Sequence, residues 1–321
     1  MKKTSLAPTL AAGFLCLGLT TAPATAAHAA TDPQSCQTVR MADIGWTDNE
    51  VQNAVFSNIL TALGYTPKST LFAEEVAYAG LQNNQLDIFL DDWTPSMDSI
   101  TDPYEKAGTI DVMGPDLTGA KYTLVVPTYL YNEGLKSFAD IQKFGAQLNY
   151  NIYGIEPGND GNEHILKMIQ ENKFGLGKFH LVQSSEAGML SEVARLYPQK
   201  KAIVFLGWEP EPMNVTYSLQ YLSGGHEFFG PNEGAAKIYI NTRHGYAAQC
   251  PNVGTMLKNF NLPIDAENAM MYSIQIKGEK ADDVAKTWLK ANPAWVQAEL
   301  ANVVTTTGQP GLAAVTSALA N

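Results

Sequence analysis

Three short apolar runs in this chain each end on a tryptophan: Arg40-Met41-Ala42-Asp43-Ile44-Gly45-Trp46, Leu86-Asp87-Ile88-Phe89-Leu90-Asp91-Asp92-Trp93 and Ala202-Ile203-Val204-Phe205-Leu206-Gly207-Trp208. Runs of this kind predict buried strands, and between them the apolar residues change to helical spacing. After Trp46, Thr47-Asp48-Asn49-Glu50 has the spacing of a capping box; Val51, Val55, Ile59 and Leu63 then share one helical face, and Gly64 closes the segment. Strand and helix patterns keep alternating beyond this point, which restricts the chain to layered α/β architectures. In such folds the strand ends open into the ligand crevice, and a Trp carries too much apolar area to be left uncovered there. The repeated placement predicts a pocket walled by aromatic rings, the environment that holds a quaternary ammonium ion by cation–π attraction.

The remaining pattern is read in the same way. Strands are expected over 121–127, following turns at Gly114-Pro115 and Gly119, over 150–155, and over 238–240. Helices are expected near 73–83, after the loop Pro157-Gly158-Asn159-Asp160-Gly161-Asn162, over 185–196, and then over 252–260, 265–276 and 281–300. Trp288 and Trp295 fall seven residues apart on the last of these, one face of one helix, and are expected in the core.

Residues 1–30 have the form of an export signal: Lys2 and Lys3, an apolar stretch too short to span a bilayer, and small-x-small sites at Ala24-Thr25-Ala26 and Ala27-His28-Ala29. Cleavage is expected near Ala29 or Ala30, with the mature chain periplasmic. Losing Lys2 and Lys3 takes the formal charge from −11 to −13, which disfavours nucleic acid as a partner. Two cysteines then remain, Cys36 and Cys250, and in an oxidising compartment an even pair predicts a disulfide. Stapling the two ends of the chain together lets its middle form an inserted lobe. The expected organisation is one discontinuous lobe from 31–118 and 235–321 and a second from 119–234. Trp46 and Trp93 then face Trp208 across a cleft that closes on its ligand.

Motifs for chemistry are missing. The chain has no Gly-x-Ser-x-Gly, His-Glu-x-x-His, Gly-x-x-x-x-Gly-Lys or Cys-x-x-Cys, and His164, His180, His226 and His244 are not at metal spacing. The doublet Asp91-Asp92 lacks the spaced oxygens of a calcium loop and is expected at a strand edge or helix cap. No catalytic residue, metal or cofactor is expected. The rival reading is an enzyme on choline esters or phosphocholine, which needs a nucleophile or metal within reach of the rings.

The motifs Gly45-Trp46-Thr47-Asp48, Leu90-Asp91-Asp92-Trp93, Gly119-Ala120-Lys121-Tyr122, Ile155-Glu156-Pro157-Gly158-Asn159 and Phe205-Leu206-Gly207-Trp208-Glu209-Pro210 together carry a resemblance. The chain resembles the choline- and glycine-betaine-type substrate-binding proteins of ABC importers, most closely their choline-binding branch. The resemblance implies a two-lobed type II periplasmic-binding-protein fold with its ligand in the cleft. It implies Trp46, Trp93, Tyr122 and Trp208 around a trimethylammonium group, and Asp48 and Asn159 on the choline hydroxyl. It also implies delivery to a permease and ATPase. The alternative is a binding protein for glycine betaine or another quaternary amine, or a sensor; a monomer is expected, with acetylcholine or betaine bound more weakly than choline. Betaine-binding relatives often read Trp-x-Pro-His where this chain has Trp208-Glu209-Pro210-Glu211, and an acid there does not help to hold a carboxylate.

Overall fold

The computed structural model describes Met1, Thr4 and residues 31–320. The expected export signal and its cleavage site therefore lie, apart from Met1 and Thr4, outside the described residues.

Among the described residues nine strands form one curled sheet: β1 (Thr38–Asp43), β2 (Thr66–Leu71), β3 (Ile88–Thr94), β4 (Ile110–Pro127), β5 (Asn151–Tyr153), β6 (His180–Val182), β7 (Phe205–Glu209), β8 (Leu219–Tyr221) and β9 (Ala235–Arg243). Their order is β2-β1-β3-β9-β4-β7-β5-β6, with β8 added on β4. β1 is parallel to β2 and β3, and β5 to β6 and β7; β9 and β4 run antiparallel between these two groups. The period-2 alternation of a strand sorts the side chains. Val39, Met41, Ile88 and Leu90 enter one core with the helix Thr47–Leu63 and the C-terminal helices, whereas Ala42 and Phe89 enter a second core that continues beneath β4, β7 and β5.

β4 and β9 carry the chain between the groups. The first part of β4 pairs with β9 and its end with β7, and Lys121 is in register with both Ala235 and Glu209. The expected turns at Gly114-Pro115 and Gly119 lie inside this strand. They appear as register shifts between Val112 and Gly114, Pro115 and Leu117, and Thr118 and Ala120, since a bulge absorbs a glycine or proline that would otherwise break the ladder.

Two further expectations are corrected and one strand is added. The segment 281–300 is two helices, Ala281–Ala291 and Pro293–Glu299, because Pro293 cannot continue the first. Trp288 and Trp295 sit on successive helices and meet edge to face at 4.8 Å. β2 is an addition: Thr-Pro-Lys-Ser-Thr-Leu has no apolar period, and its Pro67 and Lys68 suit an exposed sheet edge. The capping box does not form. Trp46 is the N-cap of the helix Thr47–Leu63 and makes no side-chain cap bond.

Cys36 and Cys250 form a disulfide with a Cα–Cα distance of 5.8 Å across 214 residues of chain. Closing so long a loop removes denatured-state entropy worth about 4–5 kcal/mol. The double variant Cys36→Ser/Cys250→Ser is expected to lose about that much unfolding free energy; a denaturation curve coincident with that of the intact protein would refute the contribution.

Candidate functional site

Strand register assembles one wall of a cavity. Tyr122 on β4 lies directly opposite Trp208 on β7, so both rings project to the same face, with centroids 6.3 Å apart. Trp93 on β3 approaches Tyr122 from the other side, at 5.9 Å. Lys121 points to the opposite face, its ammonium 5.3 Å from the Tyr221 ring, so no base accompanies Tyr122. Trp46 completes the ring set from the end of β1. These four residues, with Asp48, Ile155 and Asp160, line a cavity of about 280 Å³. All four rings are buried.

Two of the four rings, Trp46 and Trp93, are held by their polar edges. The Trp46 indole N–H donates to Glu156 Oε1 at 2.6 Å, and the Trp93 indole N–H donates to Asp91 Oδ1 at 2.9 Å. Asp91 and Asp92 were expected at an edge or cap, yet both are fully buried in mid-sheet. Asp91 orients a cavity wall, and Asp92 accepts from Thr101 Oγ1 and Asn241 Nδ2. Gly161 lets the Tyr122 ring in: a Cβ there would lie 2.0 Å from the phenol oxygen.

Asp48 sits in the first turn of the helix Thr47–Leu63, where the helix dipole favours its charge, and accepts from the Asn49 N–H at 2.9 Å. Burial nevertheless pushes its carboxyl up to about 7, against the Asn49 hydrogen bond. Asp160 is raised by burial too, with His164 opposing the shift. The Tyr122 phenol is held well above its ordinary value, first by burial and then by Asp160. Glu156 behind Trp46 is likewise raised by burial. The ion pairs of the described residues lie elsewhere, and none involves Asp48, Asp160 or Glu156.

Five of the six expected site residues, Trp46, Asp48, Trp93, Tyr122 and Trp208, thus line one cavity. Asn159 is adjacent but is not among the lining residues. It is the N-cap of the helix Asp160–Gln170, with Oδ1 accepting from the Asn162 N–H at 2.7 Å and Nδ2 at 3.5 Å from Glu156. Its place on the cavity wall is taken by Asp160 and Ile155, which sequence reasoning did not single out. The signal was present: an Asn before a helix spends its side chain on the cap and presents the next residue. Among the described residues no group of three or more His, Cys, Asp or Glu is placed to hold a metal ion. The cavity offers four aromatic faces and two carboxyl groups, the complement of a small organic cation.

The chain matches, over residues 37–291, the family described as the substrate-binding domain of an ABC-type glycine betaine transport system. The chain belongs to this family. A solved ABC-transporter choline-binding protein in complex with choline is 43% identical with a TM-score of 0.88, covering 90% of this chain and all of that one. Lactococcal OpuAC, closed on glycine betaine, is 28% identical with a TM-score of 0.74 over 82% of this chain and 98% of that one. The glycine betaine/carnitine transport binding protein GbuC of Listeria monocytogenes is 28% identical over 46% of this chain and 48% of its own length. This family member accordingly has the two-lobed type II binding-protein fold, and its family works outside the cytoplasm as binding proteins rather than enzymes. None of its helices among the described residues is long and apolar enough to cross a membrane.

Burial sets a pH dependence. Asp92, Asp48 and Glu186 are pushed up to about 6, 7 and 8, so between pH 5 and 8 the folded protein retains protons that the unfolded chain has shed. Stability from these groups is full below the unfolded carboxyl range and is lost as pH rises through the folded values. The melting temperature of the ligand-free binding protein is expected to fall from pH 5 to pH 8; a level or rising profile by differential scanning calorimetry would contradict this.

Proposed function

We propose that this chain captures choline between its lobes and delivers it to an ABC permease driven by a separate ATPase. The carrying observation is the set of four buried rings around a cavity that also holds Asp48 and Asp160 and has no Lys or Arg in its lining. Each cation–π contact contributes about 0.5–2 kcal/mol, so four rings account for much of a micromolar affinity, near −8 kcal/mol. That argument serves any trimethylammonium ligand equally, and the tail decides between them. A hydroxyl donates to Asp48 in a charge-assisted bond, whereas the carboxylate of glycine betaine meets Asp48 as a like charge in a dry cavity. Asp160 adds to that repulsion. The choline-binding relative supports this choice.

In this reading Trp46, Trp93, Tyr122 and Trp208 enclose the ammonium group, Asp48 takes the hydroxyl, and Asn159 contributes its amide N–H from the rim. The lobes are 31–118 with 235–321, and 119–234, and the hinge lies where β4 and β9 pass between them. The protein acts as a monomer in the periplasm after losing its leader near Ala29 or Ala30.

A melting-shift panel of choline, acetylcholine, glycine betaine, proline betaine and carnitine is expected to give choline the largest shift; a larger shift with glycine betaine would replace choline as the ligand. By calorimetry, Trp93→Ala or Trp208→Ala is expected to weaken choline binding by about 2 kcal/mol, roughly thirtyfold, and unchanged affinity would remove that ring from the cage. Asp48→Asn should narrow the ratio of choline to betaine affinity, and a constant ratio would take Asp48 out of the discrimination.

A further inference from the structure

Two helices begin at the cleft without satisfying their own first N–H. The helix Thr47–Leu63, which bears Asp48, has Trp46 as its N-cap and receives no side-chain bond from it. Glu186, from the 119–234 segment, supplies the missing acceptor: its Oε2 takes the Thr47 N–H at 2.9 Å and its Oε1 takes the Thr47 hydroxyl at 2.7 Å. The arrangement is reciprocated. The helix Asp160–Gln170 lies in the 119–234 segment, and its first N–H, that of Asp160, faces Glu74 Oε2 at 3.3 Å from the other side. Glu186 and Glu74 are each the first residue of a helix of their own, Glu186–Leu196 and Glu74–Gln82.

A third strand of contact ties down the same point. Gln275, the last residue of the helix Ile264–Gln275, donates to Glu186 Oε1, and its Nε2 lies 3.1 Å from Glu211 Oε2 and 3.0 Å from Thr47 Oγ1. This gives the departure at Glu211 a place: it shares the Gln275 amide with Glu186. Thr47, Glu186, Glu211 and Gln275 line a separate groove of about 930 Å³ and are absent from the aromatic cavity. Glu186 thus does not line the cavity; it touches it through Thr47, which stands between Trp46 and Asp48, and Asp48 also acts on it through charge, raising its carboxyl after burial has done so.

We propose that Glu186 is the latch of the closed cleft, a positioning residue that caps the Thr47 helix from the opposite lobe and thereby holds Trp46 and Asp48 against the bound cation. Opening the cleft leaves the helix N-terminus with uncapped donors, so the latch governs escape of ligand rather than its arrival. Glu74 plays the matching part for Asp160 with a longer, weaker bond. The inference rests on the choline reading given above.

Stopped-flow tryptophan fluorescence with choline separates the two rates. Glu186→Gln offers Thr47 one acceptor where it had two, and Thr47→Val removes one of the donors. Each variant is expected to raise koff about tenfold with kon within twofold of wild type. The double variant should raise it about tenfold as well, because both changes cut the same contact. Thr47→Ser keeps both donors and should restore the wild-type koff. An unchanged koff, multiplied effects in the double variant, or a loss confined to kon would each overturn the latch. If the wild-type protein binds no choline, the functional reading itself fails; if it binds choline and the variants release it at the wild-type rate, only the latch does.

Discussion

Asp48 is enclosed against four aromatic rings, and no described Lys or Arg forms an ion pair with it. A buried carboxylate without a counter-charge is costly, and proteins normally neutralise one with a base or a proton. Here the aromatic faces add the negative side of their quadrupoles, and Asp160 adds a second acid. Burial lifts the Asp48 carboxyl to about 7, so a proton competes with a cation for this position. A cation of the right girth offsets the burial cost more completely, since it satisfies the rings and the carboxylate together. In the proposed reading, binding energy and ligand sign both follow from these two uncompensated acids.

The scaffold delivers these groups through ordinary strand geometry. Tyr122 and Trp208 are neighbours because β4 and β7 are in register, and a slip of one residue would turn Lys121 into the cavity instead. Trp93 is aimed by Asp91, and Trp46 is drawn toward Glu156. Acids thus serve two purposes: Asp48 and Asp160 line the cavity, and Asp91 and Glu156 aim the rings.

Much of this was legible in the sequence, for a reason that can be stated residue by residue. Trp46, Trp93 and Trp208 stand at the ends of apolar runs, and strand ends are where α/β sheets expose their sites. Asp48 follows from its spacing to Trp46. The cysteines announced their pairing by number and compartment. What stayed hidden depends on partners far away in the chain. The capping-box spacing at Thr47 was misleading because its hydroxyl finds Glu186, 139 residues on, instead of a neighbour. Asp160 was overshadowed by Asn159 because the cap residue looked like the polar contact. β2 carries no period because an exposed edge strand needs none, and the bulges in β4 read as turns because Gly and Pro mark both.

The paired passage of β4 and β9 has a mechanical consequence. Two separate connections could each swivel, giving a joint loose in several directions. These two are antiparallel neighbours bonded along their length, from Ile110 opposite Arg243 to Lys121 opposite Ala235. A bonded ribbon flexes readily out of its own plane and resists shear and splaying within it. The three register shifts in β4 put the soft points of that ribbon close together. If the lobes are hinged here as proposed, the joint is a leaf spring with one easy axis, and rings that meet once on closing meet in the same alignment each time.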